Sequence, residues 1–290
     1  MSDEQPWTIG RLLTWTAEYL GSRGAESPRL DAEVLLAHAR GCQRIELYAA
    51  FDEQPDEAVK GAFRALVKQR ADGAPVAYLV GSREFYSLPL RVTPDVLIPR
   101  PETEQLVLTL LDRIKKRGGS ASVADVGTGS GAIAIATAKN APGCTVTAID
   151  VSGAALSVAS ENSERHGVLE RVRFVESDLF DALPEGERFD FIASNPPYVT
   201  TNELVGLDPM VRDHEPHLAL DGGPEGTSVI ERLLAQAPER LNAGGEMLIE
   251  IGPAIAERVE RLVGEAPGLQ HVATLKDDAG HARIVHVRAD

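Results

Sequence analysis

Asn195-Pro196-Pro197-Tyr198 comes directly after the apolar run Phe189-Asp190-Phe191-Ile192-Ala193-Ser194. Two successive prolines have fixed φ and no N–H to donate, so they end a central strand as a stiff exit. The Asn195 side-chain oxygen and the Pro196 carbonyl can both accept from an NH2 group, while the Tyr198 ring covers one of its faces. Such a unit suits a flat, weakly nucleophilic nitrogen held for group transfer. A plain strand-to-loop turn is the commoner fate of a Pro-Pro pair. The choice rests on whether the chain brings a group-transfer cofactor to the same place.

Val123-Ala124-Asp125-Val126-Gly127-Thr128-Gly129-Ser130-Gly131-Ala132-Ile133 reads as a strand, a glycine-rich turn and a helix start. Its glycines let the backbone of Gly127, Thr128, Gly129, Ser130 and Gly131 approach a ligand closely. Asp150 ends the next strand, placed to hold a ribose hydroxyl pair. Gly127, Gly129 and Ala132 also satisfy the nicotinamide fingerprint, so a dehydrogenase competes.

Three features favour S-adenosylmethionine. Asp125 precedes the first glycine by two residues, where a carboxylate attracts the ammonium of a methionine moiety and is badly placed against a pyrophosphate. Asp178 ends a third strand in Glu176-Ser177-Asp178 and can accept from an adenine amine. Asn195 through Tyr198 end the fourth. Any one aspartate is more often a helix cap or a solvated loop residue. Four features at the ends of four successive strands are much harder to explain that way. His214 and His217 beside Asp213 lack a third ligand cluster and read as loop histidines, with no metal expected. Glu102 and Thr103 read equally as pocket lining and as caps of the next helix.

These residues need elements to position them. From Ser122 onward strands (Ser122–Val126, Thr145–Asp150, Val172–Glu176, Phe189–Ser194, Glu246–Ile251) alternate with amphipathic stretches (Ala132–Asn140, Gly153–His166, Ser228–Leu241). The runs Gln270–Leu275 and Ile284–Val287 suggest a closing antiparallel hairpin. Alternation of this kind predicts an α/β fold, doubly wound about a mostly parallel sheet. Residues 1–75 read as a small helical bundle, with helices from Thr8, from Ser27-Pro28 to Gly41, and over Asp56–Arg70. Residues 76–104 read as a connector, a short hairpin turning at Pro89 and then a proline-rich segment. Residues 105–290 form the cofactor-binding domain.

Composition narrows the class. Of 290 residues, 43% are hydrophobic and 25% charged, ordinary for a globular protein with a full core. Met1-Ser2-Asp3-Glu4-Gln5 lacks the basic and apolar regions of a signal peptide, no apolar stretch reaches membrane-spanning length, and Cys42 and Cys144 sit in no metal spacing. A cytoplasmic protein away from membranes is expected. With 44 acidic against 29 basic residues, net charge −15, the chain is a poor candidate for gripping a duplex, so no nucleic-acid partner is expected. The charge suits a basic protein partner, or simply keeps the chain soluble.

In these motifs the chain resembles the PrmC (HemK) family of N5-glutamine methyltransferases that modify peptide chain release factors. The resemblance spans nearly the whole chain. It rests on Leu30 through His38, Pro75 through Gly81, Leu97-Ile98-Pro99-Arg100-Pro101-Glu102-Thr103-Glu104, Asn195 through Tyr198, Glu215-Pro216, Ala219 through Gly223, and Glu250-Ile251-Gly252. Asn-Pro-Pro-Tyr by itself is shared with enzymes that methylate adenine in nucleic acids; with Ile-Pro-Arg-Pro-Glu-Thr-Glu it is far more specific.

The resemblance implies a seven-stranded S-adenosylmethionine-dependent methyltransferase domain, expected to be monomeric, whose helical domain grasps a class 1 release factor. Its target is the glutamine of a Gly-Gly-Gln loop. By position, Asp125, Gly127 through Gly131, Asp150, Asp178, Leu179 and Asn195 would bind the cofactor. Asn195, Pro196, Pro197 and Tyr198 would bind the glutamine, with Asn195, Pro196 and Tyr198 catalytic. Relatives often carry an aromatic residue after Asp178; here Leu179 precedes Phe180, which leaves the residue covering adenine open between them. A ribosomal-protein glutamine methyltransferase, an adenine methyltransferase and a non-catalytic binding module are the competing readings.

Overall fold

The computed structural model describes residues 6–290, so the reading of Met1 through Gln5 lies outside the described residues. The chain divides into two compact units. The smaller, running through Gly81 with residues 209–214 added, is helical. It contains α1 (Ile9–Ser22), α2 (Pro28–Arg40), α3 (Arg44–Ala49), α4 (Glu57–Ala71) and α5 (Val76–Val80). Its core gathers Ile9, Leu13, Leu20, Leu35, Leu36, Leu47 and Phe63. The Asp56 side chain caps α4 by accepting from Val59 N–H at 2.8 Å. Gly41 ends α2 at φ 68°, as its sequence position predicts, but the Ser27 side chain makes no capping hydrogen bond.

The larger unit begins with a hairpin of β1 (Ser82–Phe85) and β2 (Leu88–Arg91). Its turn is Tyr86-Ser87, both at positive φ, rather than Pro89, which pairs with Glu84 inside β2. Phe85 and Leu90 are buried in the main core, so the hairpin belongs to this unit rather than to a free-standing connector. The division accordingly falls at Gly81, six residues beyond the expected boundary, with α5 counted among the helices.

The unit continues through α6 (Thr103–Lys116), β3 (Ser122–Val126), α7 (Ala132–Asn140), β4 (Thr145–Asp150), α8 (Gly153–Arg165), β5 (Val172–Glu176) and β6 (Phe189–Ser194). Residues 209–214, carrying the four-residue helix α9 (Pro209–Arg212), belong to the helical unit. Then come α10 (Ser228–Arg240), β7 (Leu241–Glu250), α11 (Ala256–Glu265), β8 (Leu269–Lys276) and β9 (Ala282–Ala289). Seven strands form one sheet in the order β5-β4-β3-β6-β7-β9-β8, with β9 antiparallel to both neighbours and the other pairs parallel.

Side chains alternate across the sheet, so Val123 and Phe191 enter one core cluster while Ala124, Val126 and Ile192 enter the other. Leu106 and Leu110 of α6 cover the first face; Leu233 of α10 and Val259 of α11 cover the second. Burial on both faces explains why these strands read as continuous apolar runs. The strand order reverses between β3 and β6, whose carboxyl ends are in register at Val126 and Ser194. A crevice for ligand is expected there.

Candidate active site

The glycine turn leaves β3 at that reversal. Gly127 and Thr128 N–H donate to the Ile149 carbonyl at 2.8 and 3.0 Å, folding the turn over the end of β4. Asp150 fastens it, accepting from Gly129 N–H at 2.9 Å through one oxygen and from Ser152 N–H at 3.0 Å through the other. At Gly131 the chain enters α7 with φ 82°, and a Cβ there would stand 3.1 Å from Ala159 Cβ. The residue must therefore be small and left-handed, because α8 packs against the turn.

Across the crevice, β6 runs into the Asn-Pro-Pro-Tyr segment. Ser194 Oγ donates to the Val126 carbonyl at 2.7 Å, tying the two strand ends together. A later loop clamps the chain just beyond Tyr198: Val199 N–H donates to Leu220 O at 3.0 Å, and Gly222 N–H to Val199 O at 2.8 Å. Gly222 lies so close to this segment that a Cβ would fall 2.7 Å from Pro197 O and 2.8 Å from Tyr198 Cα.

Between these walls lies a cavity of about 330 Å³. Gly127, Thr128, Gly129, Ser130, Asp150, Asp178, Leu179, Asn195, Pro196 and Pro197 all line it. So do Arg100 and Thr103, from the Ile-Pro-Arg-Pro-Glu-Thr-Glu segment. Leu179, rather than Phe180, meets the cavity: both belong to the same core cluster, but Phe180 is 1% exposed and off the wall.

Three expected contacts move: Gly131 lies off the cavity wall, where it leads into α7, and two others turn away as well. Asp125 is fully buried and off the cavity wall; its carboxylate accepts from Thr128 Oγ1 at 2.6 Å and Ala134 N–H at 3.0 Å. It braces the turn from behind instead of facing a methionine ammonium. Burial pushes its carboxyl up to about 7, against the pull of those two hydrogen bonds. Tyr198 also lies outside the lining, its ring 3.1 Å from the place a Gly252 Cβ would take and packed on the core. Burial, then the charge of Glu250, pushes its phenol up to about 12.

The donor set fits S-adenosylmethionine better than a dinucleotide. Asp125 takes the Ala134 amide at the start of α7, the sort of helix-end donor on which a pyrophosphate relies. The cavity's two arginines are already paired, Arg100 with Glu215 at 2.6 Å and Arg232 with Asp178 at 2.8 Å. Asp150 remains at the wall, its carboxyl raised chiefly by burial. Among the described residues no group of three or more His, Cys, Asp or Glu is arranged for a metal; His214 belongs to the helical unit and His217 to the larger one.

Several contributors carry no signal of their own in the sequence. Nothing local marks Ser194 or Gly222 for these contacts, although Gly222 lies in a segment that carries the family resemblance. Glu102, the residue before α6, makes no side-chain cap. Thr103 turns instead to Asn195, whose Nδ2 donates to its Oγ1 at 3.1 Å.

Known protein families match the chain in two stretches. Residues 11–81 match the model of the PrmC N-terminal domain, and residues 103–224 that of the methyltransferase small domain. A release factor glutamine methyltransferase of Rhodopirellula baltica is 51% identical over 99% of this chain and 98% of its own. One from Geobacter sulfurreducens is 42% identical, covering 96% of each. Among solved structures, a methyltransferase from Pyrococcus furiosus covers 78% of this chain and 96% of its own, with TM-score 0.52 and 21% identity. The Thermus thermophilus 16S rRNA N2 G1207 methyltransferase, in complex with AdoMet and guanosine, covers 72% of this chain and 50% of its own, with TM-score 0.53 and 20% identity. Those two likenesses concern the fold.

Proposed function

The chain belongs to the release factor glutamine methyltransferase family, and from that premise we propose that it methylates the side-chain amide nitrogen (N5) of the glutamine in the Gly-Gly-Gln motif of class 1 peptide chain release factors. S-adenosylmethionine is the methyl donor. The observation that carries the reading is the meeting of Asn195 and Pro196 with the glycine turn in one cavity, at the sheet's reversal point.

When bound, the cofactor supplies an electrophilic methyl group on a sulfonium. A glutamine nitrogen is a poor nucleophile because its lone pair is delocalised into the carbonyl. Asn195 Oδ1 and the Pro196 carbonyl can accept its two N–H groups and aim the nitrogen. Tyr198, with its phenol at about 12, stays protonated near neutrality and is no base. Asp125 and Glu250, the carboxyls raised to about 7, both stand off the cavity wall. The chain thus works by positioning, and the amide proton leaves to water after the nitrogen has lost its lone pair to the new bond.

Gly127, Thr128, Gly129, Ser130, Asp150, Asp178 and Leu179 hold the cofactor in this reading. Asp150 meets the ribose and Leu179 covers the adenine. The helical domain and the acidic surface grasp the release factor, and the enzyme acts as a monomer in the cytoplasm. No described helix is long and apolar enough to cross a membrane.

The test incubates the protein and S-adenosylmethionine with release factors and reads peptide masses. One added methylene on the Gly-Gly-Gln peptide, absent when that glutamine is replaced, is expected. Label on a ribosomal protein or on nucleic acid, with none on the release factor, would overturn the substrate.

A further inference from the structure

Arg232, Gln236 and Arg240 stand four residues apart on α10 and so form one ridge along it. All three reach the loop that follows β5. Arg232 Nη2 donates to Asp178 Oδ2 at 2.8 Å. Gln236 Oε1 accepts from Phe180 N–H at 3.4 Å, and its Nε2 donates to Asp181 Oδ1 at 3.3 Å. Arg240 donates to the carbonyls of Pro184 at 2.7 Å and Phe180 at 3.3 Å. Within the strapped stretch Leu179 has φ 51°, a left-handed conformation that a bulky side chain seldom adopts. Such a residue is held by its surroundings, and positions of this kind gather at ligand sites. Asp178, Leu179 and Arg232 line the cavity, whereas Gln236 and Arg240 stand off it.

The Arg232–Asp178 pair is a poor stabiliser. Its side chains are 47% and 53% exposed, and an ion pair so open to water adds little to folding. What it does fix is a direction. With Arg232 on Oδ2, the carboxylate can no longer turn freely, and Oδ1 is left for a second donor. No aromatic ring lines the cavity among the described residues, so a base held beside Leu179 is told apart along its polar edge. Adenine offers an exocyclic NH2 on that edge.

We infer that Arg232 is a positioning residue for cofactor selection. It holds the Asp178 carboxylate so that Oδ1 accepts from the exocyclic amine of adenine. A purine without that amine leaves Oδ1 unpaired and binds less well. The inference rests on the placement of adenine at Asp178 and Leu179; which protein is methylated does not enter it.

The experiment is calorimetry on the full-length protein with two ligands, S-adenosylhomocysteine and its 6-deamino analogue, in which hydrogen replaces the exocyclic amine. The wild type should prefer the amine about tenfold, the worth of one hydrogen bond to a charged group. Arg232→Ala should cut that preference to about threefold or less, chiefly by weakening the amine-bearing ligand. Arg232→Lys keeps a cation and a donor and should recover part of it. Arg240→Ala loosens the same loop without touching Asp178, so it should weaken both ligands alike and leave the preference as in the wild type.

A wild-type preference in Arg232→Ala overturns the inference. So does tighter binding of S-adenosylhomocysteine by that variant, which would make Arg232 a competitor of the amine. An equal loss of preference in Arg240→Ala overturns it too, because loosening of the loop would then account for both. Asp178→Ala separates these failures from a failure of the underlying placement. If its preference matches the wild type, adenine lies elsewhere and the inference falls with the placement. If the preference vanishes there but persists in Arg232→Ala, the placement stands and only the role of Arg232 is lost.

Discussion

Glu215 holds Arg100 at 2.6 Å across 115 residues of sequence. The same carboxylate, 4% exposed, takes the Ile98 amide at 3.2 Å through its other oxygen. A proline-rich segment with few N–H groups of its own is thereby pinned as one wall of the cavity. Glu215→Ala should destabilise the protein by about 1–3 kcal/mol, the lower part of that range being favoured because Arg100 is partly exposed. It should also weaken cofactor binding. Urea midpoints and calorimetry check the two effects; unchanged cofactor affinity would show that the pinned wall does not shape the site.

Two glycines should separate the two halves of the site. Gly131→Ala combines φ 82° with a Cβ 3.1 Å from Ala159 and should cost about 1–3 kcal/mol, with weaker cofactor binding. Gly222→Ala pushes on the backbone of Pro197 and Tyr198, and should lower turnover about 100-fold with cofactor affinity nearly kept. Calorimetry with single-turnover kinetics tests the split. Equal loss of affinity in both variants would contradict it.

Leu179→Ala should raise the cofactor dissociation constant about tenfold by removing part of an apolar wall. Phe180→Ala should instead cost about 3–5 kcal/mol of stability, since that ring is core. If Phe180→Ala folds normally and Leu179→Ala binds cofactor as the wild type does, the assignment of the wall is wrong.

Asp125 should make stability depend on pH in an unusual direction for an aspartate. Its folded-state value, about 7, lies above the ordinary 3.8, so the folded chain holds the proton more tightly than the unfolded one. That contribution is fully present below 3.8 and is lost as pH rises through about 7. Asp125→Asn should therefore gain on the wild type as pH is raised across this window. Melting curves at both ends of the window measure it, and a constant difference would rule out the raised value.

Asn195→Ala should depress turnover about 100-fold while leaving cofactor affinity within a small factor. Its side chain meets the cofactor cavity, but its work in the proposed reaction is to aim the nitrogen. Unchanged single-turnover rates would remove Asn195 from that role.

The sheet is legible in the sequence because strands buried on both faces must be apolar throughout, and each such run ends where chemistry begins. Ala132–Asn140 and Phe189–Ser194 have the expected bounds. The helix Ala256–Glu265 is not legible in the same way. Ala256, Val259 and Val263 fall on one face, but charged residues fill half of its length. The hairpin turn lies away from its expected place because a proline is a visible turn signal, whereas positive φ at Tyr86 and Ser87 is not.

By itself the sequence determined that Gly127 through Gly131, Asp150, Asp178 and Asn195 stand at the carboxyl ends of neighbouring strands. Strand periodicity and turn chemistry are local, so spacing along the chain is enough to place them. Only the tertiary structure decided which of these side chains see the cavity. The packing of α7 buries Asp125 behind the turn, and of the two core residues Leu179 and Phe180 only Leu179 also reaches the cavity wall. The hydrogen bond from Asn195 to Thr103 is likewise invisible in sequence. It joins residues 92 apart, and a hydrogen bond depends on distance in space rather than on separation along the chain.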